Sequence, residues 1–231
     1  MRILYDFFIS YYKRMIDTIC DVLKAAYKRN WISTRDGNGS YKRKDDEYLY
    51  ITPSGVRKQH LNAELIFKLQ FENEYKTTQE PWLDLKRVDD DYQHKLTGLE
   101  VSGELPLHAL LQRVVPENRV VLHLHPTYIV AALYAGWDLQ ILAEEFPEIN
   151  SYTRVGPTVS VIHPKSKELG IAVAKALNLN KLTGEIDFDI IGLDRHGIIA
   201  IAKDAWSAFE HVERLEHICK IALASGNPAK L

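Results

Sequence analysis

The sequence predicts a single domain of the α/β or α+β class, on three observations. In the second half, short runs rich in β-branched residues alternate with stretches of helical periodicity. The chain opens on a long amphipathic segment. Its 231 residues, 46% hydrophobic and 26% charged, sit near the globular average, with no repeat, low-complexity tract or linker. The 29 Lys+Arg and 31 Asp+Glu leave a net charge of −2, which excludes a polybasic nucleic-acid binder and an acidic tail.

The N-terminal helix is expected over residues 2–28, where Ile3, Leu4, Phe7, Phe8, Tyr11, Tyr12, Met15, Ile16, Ile19, Val22, Leu23 and Ala26 recur at helical spacing. Asp6 interrupts the first apolar run and no small-residue cleavage site follows, so a signal peptide is not expected. No stretch reaches the roughly 18–20 apolar residues that span a bilayer. Cys20 and Cys219 form no disulfide framework or CxxC pair, so a soluble, cytoplasmic protein without membrane partners is expected.

Residues 36–40 (Asp-Gly-Asn-Gly-Ser) read as a turn, residues 42–46 as a solvated hairpin tip, and residues 47–52 as a strand that a Pro-Ser-Gly turn ends. Residues 62–100 mix strand-like runs with charge and carry no clear period. Helical spacing returns over 105–115, with Ser102 placed to cap it and Glu104 in the first turn. A buried strand over 118–125 precedes a helix opened by Pro126. Residues 159–162 read as a strand, Ser166 caps a helix to Leu177, and strands over 188–193 and 198–202 flank a turn at 194–197. Asp204 caps the last helix.

Three features could carry chemistry. His123 and His125 lie two apart in a strand, hence on one face, where both imidazoles could meet one cation or each find its own hydrogen bond. The third ligand would come from the other histidines. His211 and His217, among charges on the last helix, read as exposed, whereas His196 stands before Gly197 in a tight turn. Glu104 follows Ser102-Gly103 at a helix start, either as a capping carboxylate or as one that meets a metal or moves a proton. The turns at Gly37-Asn38, Ser54-Gly55 and Ser102-Gly103 offer N–H groups and hydroxyls suited to an anion.

Taken in order, Gly37-Asn38-Gly39-Ser40, Ile51-Thr52-Pro53-Ser54-Gly55-Val56, Ser102-Gly103-Glu104-Leu105-Pro106-Leu107-His108, Val121-Leu122-His123-Leu124-His125-Pro126 and Arg195-His196-Gly197 resemble the class II aldolase/adducin family, the zinc-dependent sugar-phosphate aldolases of the fuculose- and rhamnulose-phosphate type. The resemblance covers about residues 12–225. It implies one domain over residues 1–231, a central, mainly antiparallel sheet flanked by helices, and a C4 homotetramer. It implies Zn2+, or another divalent transition metal, on His123, His125 and His196, with Glu104 as catalytic acid/base. Asn38, Ser54, Gly55, Ser102 and Gly103 fall on the family's phosphate-binding turns, and Tyr152 lies near where a neighbouring subunit donates a proton. The implied reaction cleaves a short ketose 1-phosphate into dihydroxyacetone phosphate and an aldehyde. Dehydration of the methylthioribulose-phosphate type, sugar-acid decarboxylation and a non-catalytic adducin-like module are the alternatives.

The chain departs from the pattern in three places. Thr34-Arg35-Asp36 makes the turn before Gly37-Asn38 one residue longer, Gly103 stands where these aldolases often carry a second serine, and the segment 68–100 is long enough to reshape the mouth of the site.

Overall fold

In a computed structural model, which describes residues 2–72, 80–88 and 98–226 and the side chains of the first helix from Arg14 onward, α1 (Arg2–Lys28) covers the predicted span. Its buried face runs through Ile16, Ile19, Val22, Leu23 and Ala26. Full burial of each larger aliphatic side chain contributes about 1.5–3 kcal/mol. The other long helix, α7 (Ala205–Ser225), starts where the Asp204 side chain accepts the Ser207 N–H and stops at Gly226, whose φ of 70° closes a left-handed cap. No described helix is long and apolar enough to cross a membrane.

Between the helices lies one antiparallel sheet of seven strands, as the resemblance implied. Its members are β1 (Asn38–Lys42), β2 (Tyr48–Ile51), β3 (Phe67–Phe71), β4 (Leu85–Arg87), β5 (Arg119–Leu124), β6 (Ile190–Leu193) and β7 (Gly197–Ala202), in the order β4-β3-β2-β1-β5-β7-β6. Among the described residues five further α-helices join the two long ones: α2 (Leu105–Gln112), α3 (Thr127–Tyr134), α4 (Leu139–Glu144), α5 (Pro147–Asn150) and α6 (Lys167–Ala176). The central strands are buried on both faces. Val120, Leu122 and Leu124 pack with α1, α3 and α7, while Val121, Ile199 and Ile201 pack with Leu107 and Leu111 of α2 and Leu169 and Val173 of α6. A third cluster joins Leu49, Ile51, Phe67, Leu69 and Phe71 to Ala109 of α2.

Four local expectations change. Only Gly37, at φ 72°, serves as a turn glycine in 36–40. Asn38, Gly39 and Ser40 are already strand, and a Cβ on Gly39 would stand 3.1 Å from both Ile19 and Leu122, so that glycine serves helix-on-sheet packing. At the hairpin tip Lys42 is buried, its ammonium donating to the Asp46 carbonyl, and burial pushes its pKa down to about 8. Residues 159–162 form no strand: Val159 makes a single parallel bridge to Leu193, in a run bracketed by Pro157 and Pro164, which cannot donate to a ladder. The unassigned stretch 62–100 supplies β3 and β4; its residues 73–79 and 89–97, and with them much of the long segment near the mouth, lie outside the described residues.

Candidate metal centre

Three parts of the chain bring the predicted histidines together. The pleat of β5 turns His123 to the same face as Val121, opposite Asn38 on β1 and Ile199 on β7. The strand ends at Leu124, and the His125 N–H donates to the Trp31 carbonyl at 2.8 Å. His196 sits in the turn from β6 to β7, after Arg195 in a left-handed conformation at φ 54°. A Cβ on Gly197 would fall 2.3 Å from the Leu124 carbonyl oxygen and 2.7 Å from the His125 ring, so only glycine lets this turn reach the strand end. One ring nitrogen from each histidine lies within 4.8 Å of the others.

The hydrogen bonds prepare these rings as ligands. His123 Nδ1 donates to the Ile198 carbonyl at 2.9 Å, leaving the Nε2 lone pair directed at His125 Nε2, 2.9 Å away. The two rings therefore face one another rather than separate partners. Burial, then His196, pushes His123 down to about 3; burial, then His123 and His196, pushes His125 down to about 3; burial lowers His196. All three are neutral imidazoles at pH 7, the form that binds metal. Nitrogens ~3 Å apart are what two bonds of ~2.0–2.1 Å to one ion produce, so the set fits a divalent cation with positions left open.

Glu104 closes the group. Ser102 Oγ accepts the Glu104 N–H at 3.3 Å, but the Glu104 side chain caps nothing. Its Oε2 lies 3.6 Å from His123 Nε2 and its Oε1 3.9 Å from His196 Nε2. The Glu104 carboxylate thus faces the histidines rather than capping its own helix.

Behind the carboxylate runs a buried ladder of polar side chains. Glu104 at the N-cap of α2 and His108 and Gln112 on the helix recur every four residues, a rise of about 6 Å. Asn38 and Ser40 recur every two on β1, about 7 Å. The near match lets one stripe face the other. Gln112 donates to Ser40 Oγ at 3.1 Å, Ser40 bonds His108 Nδ1 at 2.7 Å, His108 Nε2 bonds Asn38 Oδ1 at 2.5 Å, and Asn38 Nδ2 donates to Glu104 Oε2 at 2.9 Å. The ends fix the direction. A carboxylate only accepts, so Asn38 presents its carbonyl to His108, whose proton is therefore on Nε2, and the Ser40 hydroxyl donates to Nδ1. Full burial pushes His108 down to about 4, which keeps it neutral. His108, Ser40 and Gln112 were absent from the predicted site; the signal was two polar stripes, spaced by four and by two, in otherwise apolar segments.

Of the other predicted site residues, Ser54, Gly55, Ser102 and Gly103 line the same pocket of roughly 270 Å³ as the histidines and Glu104. Asn38 lines it too, yet its amide is engaged by Glu104 and His108. Tyr152 is 62% exposed and does not line this pocket; Arg214 stacks over its ring at 5.4 Å. His211, expected to be exposed, is half-buried against Thr153 at 2.9 Å, while His217 is exposed.

Residues 17–223 match the profile of the family described as Class II Aldolase and Adducin N-terminal domain. A 3-oxo-tetronate 4-phosphate decarboxylase from Pectobacterium atrosepticum is 27% identical over 187 residues, covering 79% of this chain and 72% of the relative. An L-fuculose phosphate aldolase from Methanococcus vannielii is 24% identical over 203 residues, 88% of this chain and 91% of that one. Among solved structures, an L-fuculose-1-phosphate aldolase from Thermus thermophilus superposes with a TM-score of 0.66 at 20% identity, covering 92% of this chain and 95% of that chain.

Proposed function

Because the chain belongs to the class II aldolase/adducin family, we propose that it is a metal-dependent lyase cleaving a short ketose 1-phosphate into dihydroxyacetone phosphate and an aldehyde. The observation that carries this reading is the convergence of three neutral imidazoles with one carboxylate in a single pocket.

In the proposed cleavage the carbon–carbon bond breaks, and its electron pair stays on the phosphate-bearing fragment as an enediolate. His123, His125 and His196 would hold a divalent cation, zinc in our reading, which would supply Lewis-acid charge beside the substrate's oxygens. Glu104 moves the proton at the reacting carbon; the Asn38 amide fixes its Oε2. Ser54, Gly55, Ser102 and Gly103 hold the phosphate, so binding remote from the broken bond sets the reacting atoms in register. We further propose a homotetramer in which Tyr152, exposed and outside its own pocket, serves a neighbour's site: it takes the proton that the hydroxyl loses as it becomes the aldehyde carbonyl, and donates it in the reverse condensation. The two cysteines, free and buried, fit a cytoplasmic setting.

A second reading, decarboxylation of a phosphorylated 3-oxo sugar acid, is favoured by the 27% identity to the tetronate decarboxylase. It needs the same Lewis acid, because loss of CO2 leaves the same kind of charge beside the carbonyl. Incubating zinc-loaded protein with ketose 1-phosphates, 3-oxo acid phosphates, and dihydroxyacetone phosphate plus aldehydes separates the two. Aldol product and no CO2 is the expected result. Release of CO2 alone replaces the first reading with the second, and no turnover of any of these contradicts both.

A further inference from the structure

The phosphate end of the pocket is short of the donors the family pattern leads one to expect. The Asn38 amide is engaged with Glu104 and His108, and Gly103 lacks the hydroxyl of a second serine. Something else fills the space above Gly103. A Cβ on that residue would lie 2.7 Å from Lys165 Cδ and 3.1 Å from both its Cγ and Cε. The methylene stem of Lys165 therefore crosses directly over the glycine, and Lys165 lines the pocket together with Pro164. Its backbone is left-handed at φ 65°, a conformation that glycine adopts freely and that costs a residue with a side chain. Just ahead of α6, whose N-cap is Ser166, the chain thus accepts a strained lysine with its stem lying over the anion-friendly turn.

We propose that Lys165 is a substrate-binding residue of this pocket, its ammonium taking one face of a phosphate monoester, and that Gly103 is the residue that admits it. The inference rests on the reading of the pocket as a sugar-phosphate site and names the group that grips the phosphate. Lys165 makes no ion pair or hydrogen bond among the described residues, so its charge is free for a ligand. Arg35, in the turn lengthened by one residue, lines the same rim, and the buried Lys58 ammonium holds the Arg35 carbonyl at 3.4 Å from behind. Two acidic groups share the pocket: Asp36, which accepts the Ser33 hydroxyl, and Glu104 beside the histidines. Around the rim the Gly55 and Gly103 amides and the Ser54 hydroxyl make no hydrogen bond among the described residues. A carboxylate has two oxygens to offer so many donors, whereas a phosphate monoester offers three and more charge.

The test compares zinc-loaded wild type with Lys165→Gly, which removes the ammonium and relieves the backbone, and with Lys165→Arg, which restores a cation. Affinities are measured for dihydroxyacetone phosphate, inorganic phosphate and unphosphorylated dihydroxyacetone. Lys165→Gly weakens the first two at least tenfold and leaves the third unchanged; Lys165→Arg recovers most of the loss. Gly103→Ala weakens phosphate binding in the lysine protein and adds nothing in the Lys165→Gly background, because the stem it displaces is already gone. Equal affinities in wild type and Lys165→Gly overturn the proposal, as does an equal loss for phosphorylated and unphosphorylated ligand, or no binding of either phosphate probe to wild type. Metal content measured on the same samples keeps the two readings apart. Lysine-dependent phosphate affinity in a protein that takes up no metal sinks the histidine reading alone, and a metal-replete protein with equal affinities sinks the lysine alone.

Discussion

Along β5, Val120, Leu122 and Leu124 point into the core beneath α1 and α7, whereas Arg119, Val121 and His123 point toward α2 and α6. The first face is uniformly apolar. On the second, polar groups interrupt the core: Arg119 donates to the Leu111 carbonyl, and His123 stands beside Glu104. The difference lies in what each contact requires. Apolar packing is non-directional, so volume matters more than identity, and swaps of similar size are tolerated. In the ladder from Gln112 to Glu104 all bonds run the same way, so each residue type is specified by its neighbours. One strand thus supplies stability from one face and a site from the other.

Substitutions on the two faces are expected to separate in kind as well as size. Glu104→Gln, on the polar face, lowers turnover by roughly 10²–10⁴, the contribution of a positioned general acid/base, while metal content and melting temperature stay near wild type. Steady-state kinetics beside elemental analysis checks this. Leu122→Ala, on the apolar face, costs about 2–5 kcal/mol of stability and leaves the zinc stoichiometry of the folded protein unchanged; urea denaturation gives the value. His108→Leu strands the Ser40 hydroxyl and the Asn38 carbonyl, at about 1–3 kcal/mol for each polar group left unpaired, and frees the amide that holds Glu104. Its signature is a loss of both stability and turnover, which neither of the first two variants gives.

Acid also distinguishes the faces. His108, His123 and His125 are held well below the usual histidine value, at about 4, 3 and 3, chiefly by burial. The unfolded chain binds protons at these residues from about pH 6.5 downward, before the folded protein does. Stability is therefore fully present above pH 6.5 and falls as the pH drops from there toward 3. Denaturant midpoints of the metal-free protein across that window are expected to decline with pH, and His108→Leu to flatten the decline. Ser40→Ala removes two bonds of the ladder, the one Ser40 donates to His108 and the one it accepts from Gln112, at about 1–3 kcal/mol for each buried group left unpaired.

Legibility in the sequence followed the same division. The helices over 2–28, 167–176 and 205–225 were readable because amphipathic period and cap residues agree there; Ser166 accepts the Leu169 N–H and Asp204 the Ser207 N–H as expected. The strand carrying His123 was readable from its apolar run. What escaped was fixed by partners distant in the chain. Gly39 looks like a turn residue until Ile19 and Leu122 close on it from two other elements. Glu104 at a helix start looks like a cap, because nothing local shows that Asn38 and the histidines lie opposite. The role of His108 needs the stripe on α2 to be matched with the stripe on β1, a register that only the folded sheet defines. His211 read as exposed because its neighbours on α7 are charged, while Thr153, which buries it, lies 58 residues earlier.

The central claim, one cation on three histidines, is tested most directly by equilibrium dialysis of the purified protein against zinc, manganese, cobalt or iron, followed by elemental analysis. Wild type is expected to retain one equivalent per chain, and His123→Ala and His196→Ala almost none. Less than a tenth of an equivalent of every metal in wild type, or unchanged uptake in the two variants, contradicts it.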